Sequence, residues 1–419
     1  MDDAFHAGDD TDWLRPRPRS LRPAGRRGGQ DPRQDLSRAG LRSRVSARTR
    51  LVLVGGGHAH ALVLHGLAEA PEPGIDVALV APDRFAPYSG MLPGHVAGLY
   101  SREEMHIDLE RAAARIGGRF LCARAIGFHG AARRIDLDDG TNLSFDILSI
   151  DIGITPDIDA IAGAREYAIA VKPIGDLLAK TDELIERVRG PGGPRRILVV
   201  GGGAAGVCLA FALKARLSRE NGAGAALAVA IATAGDIAPE INAPARFLLR
   251  RALAREGVGL RLNARVTAID AHGASLADGT RIAADAVLAT SHAKAPAVLG
   301  LGDLARDPDG FLAIDETLRV IGQERVFAAG DCATSVAHPR PKAGVFAVRQ
   351  GPALFSNIRA LARGEPLRPF VPQRDWLMLI ADGRGGAIAS RGRFLAFGGR
   401  LAFRLKDWLD RRFMALFGD

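Results

Sequence analysis

The chain has 419 residues, 47% hydrophobic and 25% charged, the balance of an ordinary globular protein with room for two or three domains. Three cysteines without C-x-x-C spacing, Cys122, Cys208 and Cys332, exclude a disulfide scaffold and give no zinc pattern, so no metal is expected and a reducing cytoplasm is the expected location. Much of the net charge of +9 lies in one tail: residues 1–50 hold twelve Arg, no Lys and seven Asp.

Residues 1–48, with stretches such as RPRPRSLRPAGRRGGQ, lack apolar periodicity and are expected to form a disordered basic extension. No apolar run follows Arg26-Arg27 as an export signal would need, and the tail reads as a leader rather than a specific nucleic-acid arm. The next element, LVLVGGGHAHALVL (51–64), predicts a strand, a glycine turn and a helix. Gly55 and Gly57 fit the first two places of a phosphate-cradling G-x-G-x-x-G, but the third is His60. A turn at PEPG (71–74) and a strand IDVALVA (75–81) complete a βαβ unit. Further on, LDDGTNLSFDILSIDIG (137–153) predicts a D-G hairpin followed by a strand starting at Asp146.

The same plan then repeats. ILVVGGGAAGVCLAFAL (197–213) is the most apolar window, but its three glycines mark a strand-to-helix turn rather than a membrane span. Here Gly201, Gly203 and Gly206 fill all three places. ALAVAIA (226–232) is the second strand, and LADGTRIAADAVLATSH (276–292) repeats the hairpin, with its strand starting at Asp285. Two glycine turns with matched downstream hairpins predict an α/β protein with two Rossmann-like dinucleotide-binding domains. In such turns the first glycine makes the tight bend, the second admits a pyrophosphate, and the helix end supplies N–H groups. Neither second strand ends in the acid that holds an adenine ribose: Asp83 and Asp236 lie just beyond. No Arg follows either strand directly, so a 2′-phosphate is not favoured, although the choice between NADH and NADPH stays open.

VFAAGDCAT (326–334), with a strand ending in Gly330-Asp331, resembles the second FAD fingerprint of two-dinucleotide flavoproteins of the pyridine nucleotide-disulfide oxidoreductase superfamily. GGGHAHALVL, APYSGMLPGHVAGLY, AVKPIGDLL, KAGVFAVRQGPALFSNI and the terminal RDWLMLIADGRGGAIASRGRFLAFGGRLAFRLKDWLDRRFM resemble its type II NADH dehydrogenase and sulfide:quinone oxidoreductase branch. They resemble most the NADH dehydrogenase-like module found fused to selenide, water dikinase; no selenophosphate role carries over. The resemblance implies an FAD domain at 49–172 and 299–372, an inserted NAD(P)H domain at 173–298, and a C-terminal appendage at 373–419.

It also implies roles. FAD is expected at Gly55 and Gly57, with His58 and His60 either near its pyrophosphate or serving the helix end, and Asp331 beside Gly330 on the ribityl chain. Pro93 would approach the flavin ring. Lys172 is a cation near the flavin or an ordinary solvated lysine; Gln350 contacts a quinone or the flavin, or caps its helix. NADH is expected at the Gly201, Gly203 and Gly206 turn. Many relatives carry Val-Glu after the third glycine, whereas this chain has Val207-Cys208.

Neither Cys122 nor Cys332 is placed like the cysteine pair of the sulfide enzymes, so the flavin itself is expected to carry the electrons. The segment 400–417 places Leu401, Leu405, Trp408, Leu409, Phe413 and Leu416 near one stripe flanked by arginines. That stripe suits peripheral contact with an anionic membrane, or packing on the protein itself. The expected enzyme transfers a hydride from NADH to FAD and electrons to a quinone-like acceptor. A soluble NAD(P)H-dependent reductase of a protein carrier and a flavin-bound sensor with little turnover are the alternatives.

Overall fold

The computed structural model describes residues 48–220, 226–290, 293–297 and 302–418. The expected basic extension therefore falls almost wholly outside the described residues, as does NGAG (221–224), the expected turn ahead of ALAVAIA.

Five parallel strands form the first sheet: β1 (Thr49–Val54), β2 (Ile75–Ala81), β3 (Arg119–Cys122), β4 (Ile147–Ile150) and a late strand, Val326–Ala328. In space they run β3-β2-β1-β4 and then the late strand, the order of a dinucleotide-binding sheet. The second sheet contains β5 (Ala168–Ala170), β6 (Arg196–Val200), β7 (Ala228–Ala232), β8 (Val258–Arg261) and β9 (Ala286–Ala289), in the order β8-β7-β6-β9-β5. The late strand is β10, paired to β4. Helices α1 (His58–Glu69) and α2 (Ala204–Glu220) follow β1 and β6.

The first sheet resumes with β10, after the strands of the second sheet. β5 was expected before the insertion at 173, yet it pairs with β9 in the second sheet, so the crossing comes before residue 168. AIA is too short to announce a sheet by its pattern; the partner 119 residues away decides.

Strand interiors are buried without alternation, as parallel strands covered on both faces must be: Leu51 to Val54 and Val77 to Ala81 are all buried. Each such Leu or Val contributes about 1.5–3 kcal/mol. Helix α3 (Ala243–Arg255) packs on β8 of the second sheet, while α4 (Gly344–Arg363) packs on α1. Gly351 makes the α1–α4 approach possible, because a Cβ there would lie 2.7 Å from Leu62. The C-terminal part is a three-stranded antiparallel sheet (378–381, 387–391, 395–399) followed by α5 (Arg400–Met414).

The duplication extends to an ion-pair clamp at the foot of each sheet. Asp146 accepts from Arg50 through the backbone N–H at 2.9 Å and from Nε and Nη2, both at 3.0 Å. Asp285 accepts from the Arg195 and Arg196 N–H groups, each at 2.9 Å, and from the Arg196 guanidinium. These hydrogen bonds hold both carboxyls down at about 2, against an ordinary 3.8. A depressed carboxyl contributes stability that is present above its unfolded value and lost as pH falls through its folded value. Asp146→Asn with Asp285→Asn is therefore expected to lower the thermal midpoint at neutral pH and to flatten its fall between about pH 4 and pH 2. An unchanged acid profile in the double variant would contradict the clamp.

Candidate active site

At the first turn, Gly55 has φ +101° and lies so close to β4 that a Cβ would sit 2.2 Å from the Asp151 carbonyl oxygen. Its N–H donates to Val80 O at 2.8 Å, and Gly57 N–H donates to Asp151 O at 3.2 Å. Gly57 caps α1 without a side chain, so the capping acceptor comes from elsewhere. Asp151, just past β4 and only 2% exposed, accepts from Ala59 N–H at 2.9 Å and His60 N–H at 3.3 Å. Burial pushes its carboxyl up to about 7, against the opposing pull of those two N–H groups.

His60 is fully buried: Nδ1 lies 2.7 Å from Gly55 O and Nε2 lies 2.8 Å from Ser149 Oγ. Burial drops its pKa to about 4, so the ring is neutral at physiological pH. A carbonyl only accepts; Nδ1 therefore carries the proton and Nε2 accepts from the serine hydroxyl. Both ring nitrogens of His60 are thus engaged in joining α1, the turn and β4. His58 is the nearer candidate. Its ring lies 5.3 Å from that of Tyr88, and burial lowers it also to about 4.

The second turn repeats the geometry with different chemistry. Gly201 has φ +113°, and a Cβ there would meet Thr290 Oγ1 at 2.2 Å. Thr290 stands after β9 as Asp151 stands after β4, and its hydroxyl donates to Val200 O at 2.9 Å. Gly206 abuts the Gly201 carbonyl, where a Cβ would lie 2.1 Å away. A Cβ at Gly203 would meet only Glu240 Oε1, at 3.4 Å, which leaves the mouth of α2 open.

Lys172, Asp331, Gly330 and Gln350 converge. Lys172 Nζ is 3.5 Å from Asp331 Oδ2, and Gly330 N–H donates to Gln350 Oε1 at 2.7 Å. A cleft beside them is lined by Gly330, Asp331, Thr334, Lys342, Phe346 and Gln350. Pro93 lies in a short helix, Leu92–Val96, whose buried Leu92 and Val96 share a core with Val207, Cys208 and Phe211 of α2. That segment joins the loop after the first sheet to the core of α2.

Cys208 is buried and its thiol is pushed up to about 11; burial likewise takes Cys332 to about 12. Both are inert thiols at neutral pH, and Cys122 is exposed. Helix α5 departs from its expected stripe. It buries the Lys406–Asp410 ion pair, with Lys406 donating to Gly90 O at 2.7 Å and Tyr88 Oη donating to Asp410 at 3.2 Å. Phe413 stacks on Tyr88 at 4.5 Å, whereas Leu401 and Trp408 stay 73% and 47% exposed.

Two glycine turns of one plan, each closed by the residue after a fourth strand, call for comparison with known proteins. The pyridine nucleotide-disulphide oxidoreductase family model matches residues 49–351. The chain belongs to that family. Among its relatives in sequence is an NADH dehydrogenase-like protein of Mycobacterium tuberculosis, 26% identical over 68% of this chain and 73% of that one. The demethylphylloquinone reductase NdbB of Synechocystis is 28% identical over 59% of this chain and 62% of its own length. In fold, the chain is similar to sulfide:quinone oxidoreductase of Aquifex aeolicus at TM-score 0.73, 17% identity and 87% and 90% coverage. NDH2 of Plasmodium falciparum in complex with NADH matches at 0.73, 15% identity and 88% and 97% coverage.

Asp151, Thr290, Glu240 and the Lys406–Asp410 pair escape the motifs. Aligning the two repeats beyond Asp146 and Asp285 would have found the first two, since each lies five residues on. His60→Ala removes both hydrogen bonds and opens a cavity, and is expected to cost about 3 kcal/mol of stability in chemical denaturation. A variant as stable as the parent would contradict the bridging role.

Proposed function

We propose that the chain is an FAD-dependent NAD(P)H oxidoreductase that takes a hydride from NADH and passes electrons to a quinone-like acceptor. The observation that carries this reading is the pair of glycine turns with Asp331 and Gln350 at one cleft and Lys172 paired to Asp331. The quinone in the name of the Synechocystis relative and the NADH in the Plasmodium complex support the choice of acceptor and donor.

The residues present fit FAD. Gly57 leaves the end of α1 without a side chain of its own, and Asp331 borders open space. Gly55, Gly57 and His58 would hold the pyrophosphate, and Gly330 and Asp331 the ribityl chain, with Pro93 toward the ring. When bound, FAD supplies the two-electron carrier that no side chain here can replace. Gly201, Gly203 and Gly206 would hold NADH, with the free mouth of α2 favouring its pyrophosphate. Gln350 fixes the Gly330 amide, and Lys172 balances the charge of Asp331.

Anaerobic addition of NADH to the purified flavoprotein is expected to bleach the flavin band within the mixing time, and reoxidation by a soluble quinone to restore it. A band unchanged by NADH and by NADPH would sink the dehydrogenase and leave the flavin-bound sensor.

The outward face of α5 favours a membrane-borne acceptor over a protein carrier. Leu401 and Trp408 are exposed, as are Phe394 and Leu395 just before the helix, with Arg412 over Trp408 at 5.1 Å and Arg393 over Phe394 at 5.4 Å. No helix among the described residues is long and apolar enough to cross a membrane, so the contact proposed is peripheral. The protein is expected to sediment with anionic vesicles, less so in high salt, and Leu401→Glu with Trp408→Glu to stay in the supernatant. Equal binding by parent and variant would contradict this face.

A further inference from the structure

The two turns are close copies except at the residue that closes them. In the second, Thr290 is neutral and its hydroxyl donates a hydrogen bond to Val200 O. In the first, Asp151 places a carboxylate in the hollow left by three glycines. A Cβ at Gly57 would lie 2.1 Å from its Cγ, one at Gly330 2.3 Å from Oδ1, and one at Gly55 2.2 Å from its carbonyl oxygen. Two of those glycines open the α1 turn and the third precedes Asp331. Asp151 thus stands between the two segments assigned above to the FAD pyrophosphate and ribityl chain, with its charge on the N–H groups of the helix end that a pyrophosphate also seeks.

We propose that Asp151 is a proton site coupled to flavin binding: its buried carboxylate gains a proton when the pyrophosphate of FAD arrives at the same helix end. The inference rests on the flavin reading above and adds a residue and a proton to it. Two anionic groups at one helix end in a water-poor hollow repel strongly, and protonating the carboxylate removes that repulsion. One hydron moves from solvent to a carboxylate oxygen of Asp151, and no bond to FAD forms.

The groups facing Asp151 leave it the titrating one near neutrality. On α1, burial keeps the rings of His58 and His60 neutral above about pH 4. At the Gly330 turn, burial holds Cys332 as a thiol up to about 12, and Asp331 is countered by Lys172 from the end of β5. Lys342 beyond Cys332 donates to Ala333 O at 2.7 Å and Thr334 Oγ1 at 2.8 Å. Asp151 itself sits at about 7 in the free protein. Below that pH it already carries the proton and FAD binds without uptake; above it each FAD draws one in, so affinity falls as pH rises, about tenfold per unit.

The test is calorimetric titration of FAD into the flavin-stripped full chain, at pH 6 and pH 8, in buffers of different ionisation enthalpy. Uptake is expected to approach one proton per FAD at pH 8 and nearly vanish at pH 6, with the dissociation constant about tenfold or more weaker at pH 8. Asp151→Asn keeps the shape without the charge, and its affinity is expected to be level across that range with no proton taken up. PH-independent affinity without uptake in the parent overturns the proposal, as does a slope that survives in Asp151→Asn. If that variant does not fold, the proton count of the parent decides alone. A chain that binds FAD at no pH overturns the flavin reading as well; one that binds it without proton uptake overturns only the role of Asp151.

Discussion

Everything in the site hangs on one close approach, made twice: the backbone of a first strand, at its glycine, lies against the backbone at the end of a fourth. At Gly55 and at Gly201 there is no room for a Cβ, because the facing residue, Asp151 or Thr290, fills it. Parallel pairing of β1 with β4, and of β6 with β9, makes that proximity unavoidable. The helix that follows can then begin with its N–H groups turned to the crevice outside the strand ends, where such sheets bind ligands. The Arg50–Asp146 and Arg196–Asp285 clamps fix the opposite ends of the same strand pairs. Each fourth strand is thus held at foot and head, and the residue just past it is placed with little freedom.

Within that shared frame the two turns have diverged in a coordinated way. Where the second packs Gly206 directly on the Gly201 carbonyl, the first inserts the His60 ring and uses Ser149 to hold its far side. A larger third residue needs a helix set slightly off, and a helix so placed needs its end satisfied from outside. Asp151 does this across the gap. Stability and ligand recognition are therefore joined at one carboxylate: the group that caps α1 is also the one nearest to where a second anion would bind.

Much of this is legible in the sequence, for physical reasons. Glycine turns and D-G hairpins are local signals, and seeing them twice removes the ambiguity that either copy has alone. The convergence of Lys172, Asp331 and Gln350 comes through resemblance rather than pattern, since those residues are far apart in the chain. Asp151 is hidden because a carboxylate after an apolar strand looks like the start of a loop; only the returning helix end makes it buried. Helix α5 divides its stripe in a way the pattern does not show: Lys406 and Asp410, one turn apart, neutralise each other and go inside with Phe413, leaving Leu401 and Trp408 out. Strand β5 is too short for any pattern to assign, and its sheet is set by a partner found much later in the chain.

The central claim is a division of labour: the first turn for FAD, the second for the pyridine nucleotide. Amide hydrogen exchange on the full chain tests it directly. FAD alone is predicted to slow exchange at Gly57 to His60 and at Gly330 to Cys332, and NADH added afterwards to slow Gly203 to Gly206. Protection of the second turn by FAD alone, or of the first by NADH, would contradict the assignment.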